Sequence, residues 1–257
     1  KSFAMVVLNL SPDSFSGDGV TASQLSERVK AIIESGAQCI DIGAQSTRRG
    51  AIQISEEEEE TKVRHAVEEV RNQSSEIIIS VDTTRASVAH LAIELGADII
   101  NDVSGGQFDT EMYEVINSHP HVLYVIGHLQ GTFETMHDSF VYTGITQDLI
   151  EYANNKVSFL ESVGIQKERI IFDPCIGFSK GKKENLAIIK NIKELVNKVP
   201  VPVLIGLSRK GFIKTITQTE DNESLDRYTL ALYSILLSEG VKVIRTHEVT
   251  NTMNILS

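Results

Sequence analysis

The sequence predicts a single domain with the (β/α)₈ barrel fold, also called the TIM barrel, over residues 1–257. Eight short apolar runs alternate with amphipathic stretches from end to end, which is the pattern of parallel strands joined by crossover helices. A length of 257 residues is ordinary for one such barrel. No Pro/Ser-rich linker or low-complexity tract interrupts the series, so we expect no domain boundary.

The strands are predicted from runs rich in Val, Ile, Leu and Phe. Strands that are buried on both faces of a parallel sheet are nearly continuous apolar runs, as these segments are. In chain order the predicted strands are Phe3–Leu10, Cys39–Ile42, Ile77–Val81, Ile99–Ile100, Val122–Ile126, Arg169–Phe172, Pro202–Leu207 and Val241–Ile244.

Helix starts and ends are marked by capping residues. Thr21 with Gln24, and Ser55 with Glu58, have the spacing of a capping box. The acidic run Glu57–Glu60 suits the positive end of a helix dipole, so we interpret it as a solvated helix start rather than a metal site. A glycine follows four predicted helices and is expected to end each of them in the left-handed conformation: Gly36, Gly96, Gly164 and Gly240.

Polar residues follow every predicted strand. They are Asn9, Asp41, Asp82, Asn101 and Asp102, His128, Asp173, Ser208 to Lys210, and Arg245 to His247. Any one of them could simply cap the next helix or form an Asx turn. In a closed barrel, however, all eight positions converge on one mouth, where barrel enzymes place their active site. We therefore expect an enzyme with its site at this mouth, to which the irregular segment 127–144 is a candidate contributor.

The distribution of charge indicates the substrate class. A formal net charge of −11 argues against a nucleic-acid or anionic-membrane binder. Basic residues nevertheless gather near the predicted mouth and would form an anion site: Arg48, Arg49, Lys180, Arg209, Lys210, Arg245 and His247. The loops after strands seven and eight are the usual phosphate site of this fold. The alternative is that Arg245 and His247 are structural partners of nearby carboxylates.

A second group of polar residues suits an uncharged ligand. Asp82, Asn101 and Asp173 can accept N–H bonds from an amidine-like edge, and the amide can also donate. A guanidine-like heterocycle with a phosphate tail would satisfy both groups. Two cysteines are too few for a disulfide framework, and no apolar stretch approaches the length of a membrane span. We expect a cytoplasmic protein, or an organellar one if a targeting segment has been removed.

Eight motifs, in order along the whole chain, closely resemble those of the dihydropteroate synthase family. They are Asn9-Leu-Ser-Pro-Asp-Ser-Phe-Ser, Asp41-Ile-Gly-Ala-Gln-Ser-Thr-Arg, Ser80-Val-Asp-Thr, Ile100-Asn-Asp, His128-Leu-Gln-Gly-Thr, Phe172-Asp-Pro-Cys-Ile-Gly-Phe, Leu207-Ser-Arg-Lys and Ile244-Arg-Thr-His. The resemblance implies a transferase of folate biosynthesis. It would join 6-hydroxymethyl-7,8-dihydropterin pyrophosphate to p-aminobenzoate, giving 7,8-dihydropteroate and pyrophosphate.

The resemblance also implies roles for individual residues. The pterin site would comprise Asp82, Asn101, Asp173 and Lys210. The p-aminobenzoate site would comprise Thr47, Arg48, Phe178 and Ser208, with Lys210 between the two sites. Pyrophosphate would be bound by Asn9, Arg48, Arg245 and His247, with Asn9 also contacting Mg²⁺, the implied cofactor. Catalysis would depend on Asp82, Lys210, Asp173, Arg245 and His247.

The implied chemistry needs no activated nucleophile, because an aryl amine is already a free base near neutral pH, and no Ser–His or Cys–His pair is apparent. Departure of pyrophosphate is the harder step, so we expect an S_N1-like path with loops 13–16 and 46–49 closed against water. The family also implies a homodimer, sometimes fused to or paired with a pterin pyrophosphokinase. The chain departs from the family pattern at Ala44, Gln45, Arg49 and Cys175. These departures bear on p-aminobenzoate and sulfonamide affinity.

Two other functions remain open from the sequence. One is a pterin-binding methyltransferase domain that passes a methyl group to a corrinoid. The basic residues after strands seven and eight disfavour it, because methyltetrahydrofolate carries no pyrophosphate. The other is a non-catalytic pterin-binding scaffold within a larger folate enzyme, which the substituted second loop would allow.

Overall fold

The computed structural model of the protein describes residues 2–10, 22–46, 51–136, 138 and 140–256. Eight parallel strands form one sheet in the order β6-β5-β4-β3-β2-β1-β8-β7. A bridge between Phe172 and Val203 joins the two ends of this order and closes the sheet into a barrel. The strands are β1 Phe3–Asn9, β2 Cys39–Gly43, β3 Ile78–Asp82, β4 Ile99–Asp102, β5 Leu123–Gly127, β6 Ile170–Asp173, β7 Leu204–Gly206 and β8 Val243–Thr246. The predicted fold class is confirmed.

Helices surround this barrel in the described part of the chain. They are α1 Ala22–Glu34, α2 Glu56–Gln73, α3 Ala86–Glu94, α4 Met112–Ser118, α5 Ile145–Ser162, α6 Lys182–Lys190, α7 Ile192–Lys198, α8 Gly211–Thr217, α9 Asn222–Ser238 and α10 Thr250–Leu256. Two helices each follow β6 and β7, where the simplest repeat would have one. None of the described helices is both long enough and apolar enough to cross a membrane.

The predicted capping signals are confirmed where they can be seen. The hydroxyl of Ser55 accepts a hydrogen bond from the backbone N–H of Glu58 at 3.1 Å, which satisfies one of the donors at the start of α2. The four predicted glycine caps all have positive φ, as at Gly36 and Gly240 (83° and 105°). The other predicted box begins at Thr21, which lies outside the described residues.

Side chains on the strands alternate between two apolar environments. One set forms a small cluster inside the barrel, and the other packs against the helices. The interior cluster is Met5, Cys39, Ile99, Val125, Ile171, Leu204 and Val243. Because alternation has period two, the residue two positions later on each strand also points into the lumen, one layer nearer the mouth. That layer is where the polar residues of the strand ends lie.

Candidate active site

Four charged side chains enter the upper layer of the lumen from β2, β3, β6 and β8. Asp41, Asp173 and Arg245 each stand two positions after an apolar residue of the interior cluster. Asp82 is the last residue of β3 and is paired in register with Gly43 and Asn101. The strands therefore bring together the predicted Asp82, Asn101, Asp173 and Arg245, because their ends share one mouth.

Asp41 lies at the centre of this layer and is a residue whose role the sequence did not reveal. Its fully buried carboxylate accepts hydrogen bonds from the hydroxyl of Ser80 at 2.5 Å and from Nε of Arg245 at 2.6 Å. The amide nitrogen of Asn101 lies 3.3 Å away. A buried carboxylate needs such donors, because each replaces water that burial has removed. Asp41 thus orients two of the predicted site residues.

Arg245 bridges two carboxylates. Besides its bond to Asp41, its Nη2 donates to Oδ2 of Asp82 at 2.8 Å. Burial would lower the pKa of Arg245, but Asp41 and Asp82 raise it beyond its usual value. Burial raises the pKa of Asp82 to about 7, against the opposing effect of Arg245. The sequence had left open that Arg245 pairs with carboxylates, and in this structure it does.

Asp173 and Lys210 are neighbouring charges in the same lumen. The Oδ1 of Asp173 accepts a hydrogen bond from the backbone N–H of Cys175 at 2.7 Å. The ammonium of Lys210 donates to the carbonyl of Ile176 and lies 4.6 Å from the ring centroid of Phe178. Burial raises the pKa of Asp173 and lowers that of Lys210, while their mutual attraction opposes both shifts. Phe178 and Lys210 are thus adjacent, as the resemblance implies.

Cys175 occupies a backbone position that favours glycine. Its φ is +50°, in the left-handed region, and its side chain is buried. Cys175 is one of the residues that depart from the pattern of the family it resembles, and its backbone stands in a conformation that glycine adopts without strain. Because the N–H of Cys175 binds Asp173, the turn fixes a predicted pterin ligand.

The ends of β7 and β8 are joined by one buried tyrosine. The hydroxyl of Tyr233, on α9, accepts from the backbone N–H groups of Leu207 and Ser208 at 2.9 and 3.2 Å. It donates to the carbonyl of Arg245 at 2.5 Å. The hydroxyl of Ser208 in turn lies 3.1 Å from Nδ1 of His247, so these two predicted residues form a Ser–His pair that was not apparent from the sequence. No feature of the sequence singled out Tyr233.

Two basic residues expected at the anion site contact other parts of the protein. The buried ammonium of Lys180 donates to the carbonyls of His128 and Phe178 at 2.9 and 3.0 Å, and burial lowers its pKa to about 8. Its hydrogen bonds join the loop after β5 to the loop after β6. Arg209 pairs with Asp226 of α9 at 3.1 Å, with its side chain 40% exposed. An anion-binding role for either residue stays a prediction, and each already has protein partners in this structure.

Asp102 and His128 also follow strands without serving the lumen as ligands. The carboxylate of Asp102, a neighbour of lumen-facing Asn101, faces the helices and accepts from the hydroxyl of Tyr124 at 2.9 Å. The ring of His128 packs edge-on against Tyr152, with centroids 4.7 Å apart. Burial lowers the pKa of His128 to about 3, so it is neutral near pH 7.

A cavity of about 510 Å³ opens beside Asp82. Its wall includes Glu59, whose buried carboxylate accepts from Thr83 at 2.7 Å and from Arg85 at 2.6 Å. Burial raises the pKa of Glu59, against both of these donors. Thr132, Phe133 and Glu134 line the other side of the cavity. Residues 132–134 of the irregular segment 127–144 therefore reach the mouth, as expected of a candidate contributor to the site.

The loop after β2 is partly described. Ala44 is buried, and the side chain of Gln45 accepts from the N–H of Ile54 at 2.9 Å while donating to the carbonyl of Ser46 at 3.1 Å. This substituted glutamine thus ties the two ends of its own loop. The predicted residues Thr47 and Arg48, the substitution Arg49 and the loop 13–16 lie outside the described residues.

Asn9 ends β1 on the side of the mouth nearest Asp82. A Cβ built on Gly43 would lie 3.4 Å from Oδ1 of Asn9 and 3.9 Å from Oδ2 of Asp82. Because Gly43 has no side chain, no Cβ lies between the oxygen of Asn9 and that of Asp82. The amide oxygen and the carboxylate are hard donors of the kind that Mg²⁺ accepts, usually together with phosphate oxygens and waters.

Comparisons with known proteins identify the family of this chain. Residues 5–247 match the model of the family described as pterin binding enzyme. A dihydropteroate synthase of Synechocystis sp. is 34% identical over 97% of this chain and 86% of its own length. A folate synthesis bifunctional protein of Arabidopsis thaliana is 37% identical over 99% of this chain, which spans only 55% of that longer relative.

Solved structures extend the likeness to the whole fold. A dihydropteroate synthase of Xanthomonas albilineans with 4-aminobenzoic acid superposes with a TM-score of 0.91 at 29% identity, covering 100% of this chain and 91% of that one. The same organism's enzyme in complex with 7,8-dihydropteroate has a TM-score of 0.87 at 26% identity, with the same coverage. The Yersinia pestis enzyme in a sulfonamide drug complex has a TM-score of 0.91 at 28% identity, covering 99% and 92%. The chain belongs to the pterin-binding enzyme family and, within it, to the dihydropteroate synthases.

Proposed function

We propose that this chain condenses 6-hydroxymethyl-7,8-dihydropterin pyrophosphate with p-aminobenzoate, giving 7,8-dihydropteroate and pyrophosphate. The observation that carries the proposal is the convergence of Asp82, Asn101, Asp173 and Lys210 on one lumen. Relatives of the same fold have been solved with 4-aminobenzoic acid and with 7,8-dihydropteroate, which supports the same two ligands here.

The pterin would lie in the lumen beside two acidic side chains. Asp82 at the end of β3 and Asp173 at the end of β6 can both accept N–H groups from the guanidine-like edge of the heterocycle. Asn101, oriented by Asp41, would form hydrogen bonds with the neighbouring atoms of the pterin. The ammonium of Lys210 would donate to the pterin carbonyl. A charged donor in a dry site strengthens such a bond, because little water competes for it.

The pyrophosphate would extend toward the ends of β1, β7 and β8. Arg245, His247 and Asn9 line that side, and Arg48 is proposed to join them from the loop after β2. For Arg245 this requires that its guanidinium binds pyrophosphate while Asp41 and Asp82 hold it in place. Five N–H donors in a fixed fork allow one guanidinium to serve both.

Mg²⁺ is proposed as the cofactor at Asn9. The donor set fits, because Gly43 places no side chain beside the amide oxygen of Asn9 and the remaining ligands would come from pyrophosphate and water. When bound, the ion would neutralise charge on the leaving pyrophosphate. We expect removal of Mg²⁺ with EDTA to abolish turnover and to leave binding of the pterin itself in place; turnover in EDTA at the full rate would rule out Mg²⁺ dependence.

An S_N1-like path is proposed for the transfer. The carbon–oxygen bond to pyrophosphate breaks first, and the electron-rich pterin shares the positive charge left on its methylene. Asp82 and Asp173 stabilise that charge, and Arg245 and His247 stabilise the departing anion. The aryl amine then forms the new carbon–nitrogen bond and loses one proton. Water must be excluded until it does so.

The p-aminobenzoate pocket can be tested through this competition with water. Phe178 beside Lys210, with Ser208 nearby, is proposed to line it, together with Thr47 and Arg48. In Phe178→Ala we expect the pterin pyrophosphate to be consumed mainly by hydrolysis to 6-hydroxymethyl-7,8-dihydropterin and pyrophosphate, with coupling reduced. Chromatography of both products measures the partition. A partition equal to that of the unchanged protein would remove Phe178 from the pocket.

One assay separates catalysis from the two alternative functions. The purified protein is supplied with pterin pyrophosphate, p-aminobenzoate and Mg²⁺, and both dihydropteroate and released pyrophosphate are measured in equal amounts if the proposal holds. Pterin binding without product would favour the non-catalytic scaffold. Methyl transfer to a corrinoid, without pyrophosphate chemistry, would favour the methyltransferase domain.

Assembly and location are also proposals. We propose a homodimer, supported by Tyr228 and Ile235, which lie seven residues apart on α9 and are 49% and 57% exposed. Light scattering on the purified protein tests it, and a monomer mass would contradict it. Pairing with a pyrophosphokinase is supported by the bifunctional relatives. We keep the cytoplasm as the proposed location and an organelle as the alternative, because bifunctional relatives from Arabidopsis thaliana and Pisum sativum are mitochondrial.

A further inference from the structure

Three potential metal ligands cluster on the outside of the barrel, away from the mouth. His90 and Glu94 lie one turn apart on α3, and His119 directly follows α4. One ligand atom from each lies within 4.8 Å of the other two. The end of α3 and the residue after α4 lie just before β4 and β5, so the cluster is at the face of the barrel opposite the active site.

His119 is oriented as a metal-ligating histidine is. Its Nδ1 lies 2.7 Å from the carbonyl of Val115. A carbonyl can only accept, so Nδ1 is the donor and Nε2 is the ring nitrogen left to bind a metal ion. Nε2 lies on the side of Glu94, whose Oε1 is 3.4 Å away. A backbone carbonyl that fixes the tautomer and the ring in this way is the usual outer partner of a zinc-bound histidine.

The surroundings of the cluster suit a cation. The rings of His90 and His119 lie 5.5 Å apart, so their nitrogens can turn toward a shared centre with small side-chain rotations. His90 and Glu94 are exposed, so these rotations meet no packed core. Glu94 is also the last residue of α3, where the negative end of the helix dipole attracts positive charge.

We propose that His90, Glu94 and His119 form a binding site for a divalent transition metal ion, with zinc as the best fit. Two imidazoles and one carboxylate are a common three-ligand set for Zn²⁺, and water completes the tetrahedron. Mg²⁺ is excluded from this role, because it prefers oxygen ligands in an octahedron. The ion would join α3 to the connection between α4 and β5 and stabilise the barrel, independently of the proposed reaction at the mouth.

Calorimetric titration of the metal-free protein with zinc chloride tests the site, in buffer containing excess Mg²⁺ so that oxygen sites are occupied. We expect one equivalent to bind saturably and to raise the unfolding temperature. His90→Ala, His119→Ala and Glu94→Gln should each weaken binding by at least about tenfold, since loss of even an outer partner has that effect. His65→Ala, an exposed histidine on α2, is the matched control and should bind as the unchanged protein does.

Two further measurements keep the test decisive. Circular dichroism of each metal-free variant checks its fold, and Glu94→Gln keeps the size of the side chain should an alanine variant unfold. Titration with Co²⁺ in place of zinc should give the visible absorption of a tetrahedral site in the unchanged protein and in His65→Ala, but not in His119→Ala. The proposal would be overturned if the unchanged protein showed no saturable zinc binding. It would also be overturned if the three ligand variants bound zinc as tightly as the unchanged protein does.

Discussion

The Nε of Arg245 lies 2.6 Å from Oδ2 of Asp41, so one buried ion pair joins β8 to β2 across the intervening strand β1. The same guanidinium reaches Asp82 on β3 at 2.8 Å. Three strands thus place their charges in one network before any substrate binds. A network of this kind positions catalytic groups in advance and spares the reaction the cost of reorganising them.

The network predicts a large loss of stability on removing its central charge. Asp41→Asn leaves Arg245 with one carboxylate in a buried site, so we expect the free energy of unfolding to fall by roughly 3–5 kcal/mol, as in other broken buried pairs. Urea denaturation measures it. Asp226→Asn breaks the more exposed pair with Arg209 and should cost less than about 1 kcal/mol. Equal stability of the two variants would refute the central role of Asp41.

The raised pKa of Asp82 predicts a pH-dependent stability. Its native pKa of about 7 lies above the unfolded value, so the native state holds the proton more tightly. Stability is therefore lost as pH rises from about 4 to 7, and the whole loss is present above about pH 7. Asp82→Asn removes this titration. We expect its melting temperature relative to the unchanged protein to rise between about pH 5 and pH 8, while turnover falls.

Differential scanning calorimetry across this pH range provides the measurement. Asp226→Asn is the control, because its melting temperature relative to the unchanged protein should stay level. A relative melting temperature of Asp82→Asn that stays level, or falls, would contradict the assignment of a raised pKa to Asp82.

The left-handed backbone at Cys175 predicts that the substitution Cys175→Gly has little effect on stability. A side chain in this conformation costs about 1–2 kcal/mol, which Cys175→Gly would recover against the packing it loses. We expect its free energy of unfolding to change by less than about 1 kcal/mol. Cys39→Gly, at a buried cysteine inside β2, should cost at least about 2 kcal/mol. Similar losses in both variants, measured by denaturation, would show that no strain exists at Cys175.

The buried ammonium of Lys210 predicts a loss in catalysis rather than in folding. Lys210→Met keeps the length and apolar stem but removes the donor, so we expect kcat/KM for the pterin pyrophosphate to fall about 10²–10³-fold, as on loss of one such donor elsewhere. Lys214→Met, on the exposed side of α8, should leave kcat/KM unchanged. A Lys210→Met enzyme within a few-fold of the unchanged protein would exclude the proposed contact with the pterin carbonyl.

The barrel could be predicted because its strands and helices carry strong local patterns. Because successive side chains of a strand face opposite sides, the sequence also predicts that Asn101 and Asp102 face different sides, one the lumen and the other the helices. The same alternation places Asp41 two residues after Cys39 on the lumen side. Candidate ligand-binding residues at the strand ends can therefore be selected from the sequence, because they stand two positions after a residue of the interior apolar cluster.

Other features could not be obtained from spacing. Lys180 and Arg209 both follow strands, yet one ammonium turns inward to carbonyls and the other side chain turns outward to Asp226. Long flexible side chains reach many directions from one backbone position, and tertiary packing decides among them. Tyr233 gave no signal because its three hydrogen bonds go to distant backbone atoms, which no local pattern encodes.

The proposed reaction requires the pterin to bind in the lumen beside Asp82 and Asp173. The affinity of the Asp173→Asn variant for the pterin pyrophosphate tests this most directly. We expect the dissociation constant of 6-hydroxymethyl-7,8-dihydropterin pyrophosphate, measured by calorimetry, to rise about tenfold to 100-fold, the range for losing a hydrogen bond to a charged group. Asp226→Asn should bind as the unchanged protein does. Unchanged affinity in a folded Asp173→Asn protein would place the pterin elsewhere and contradict the account.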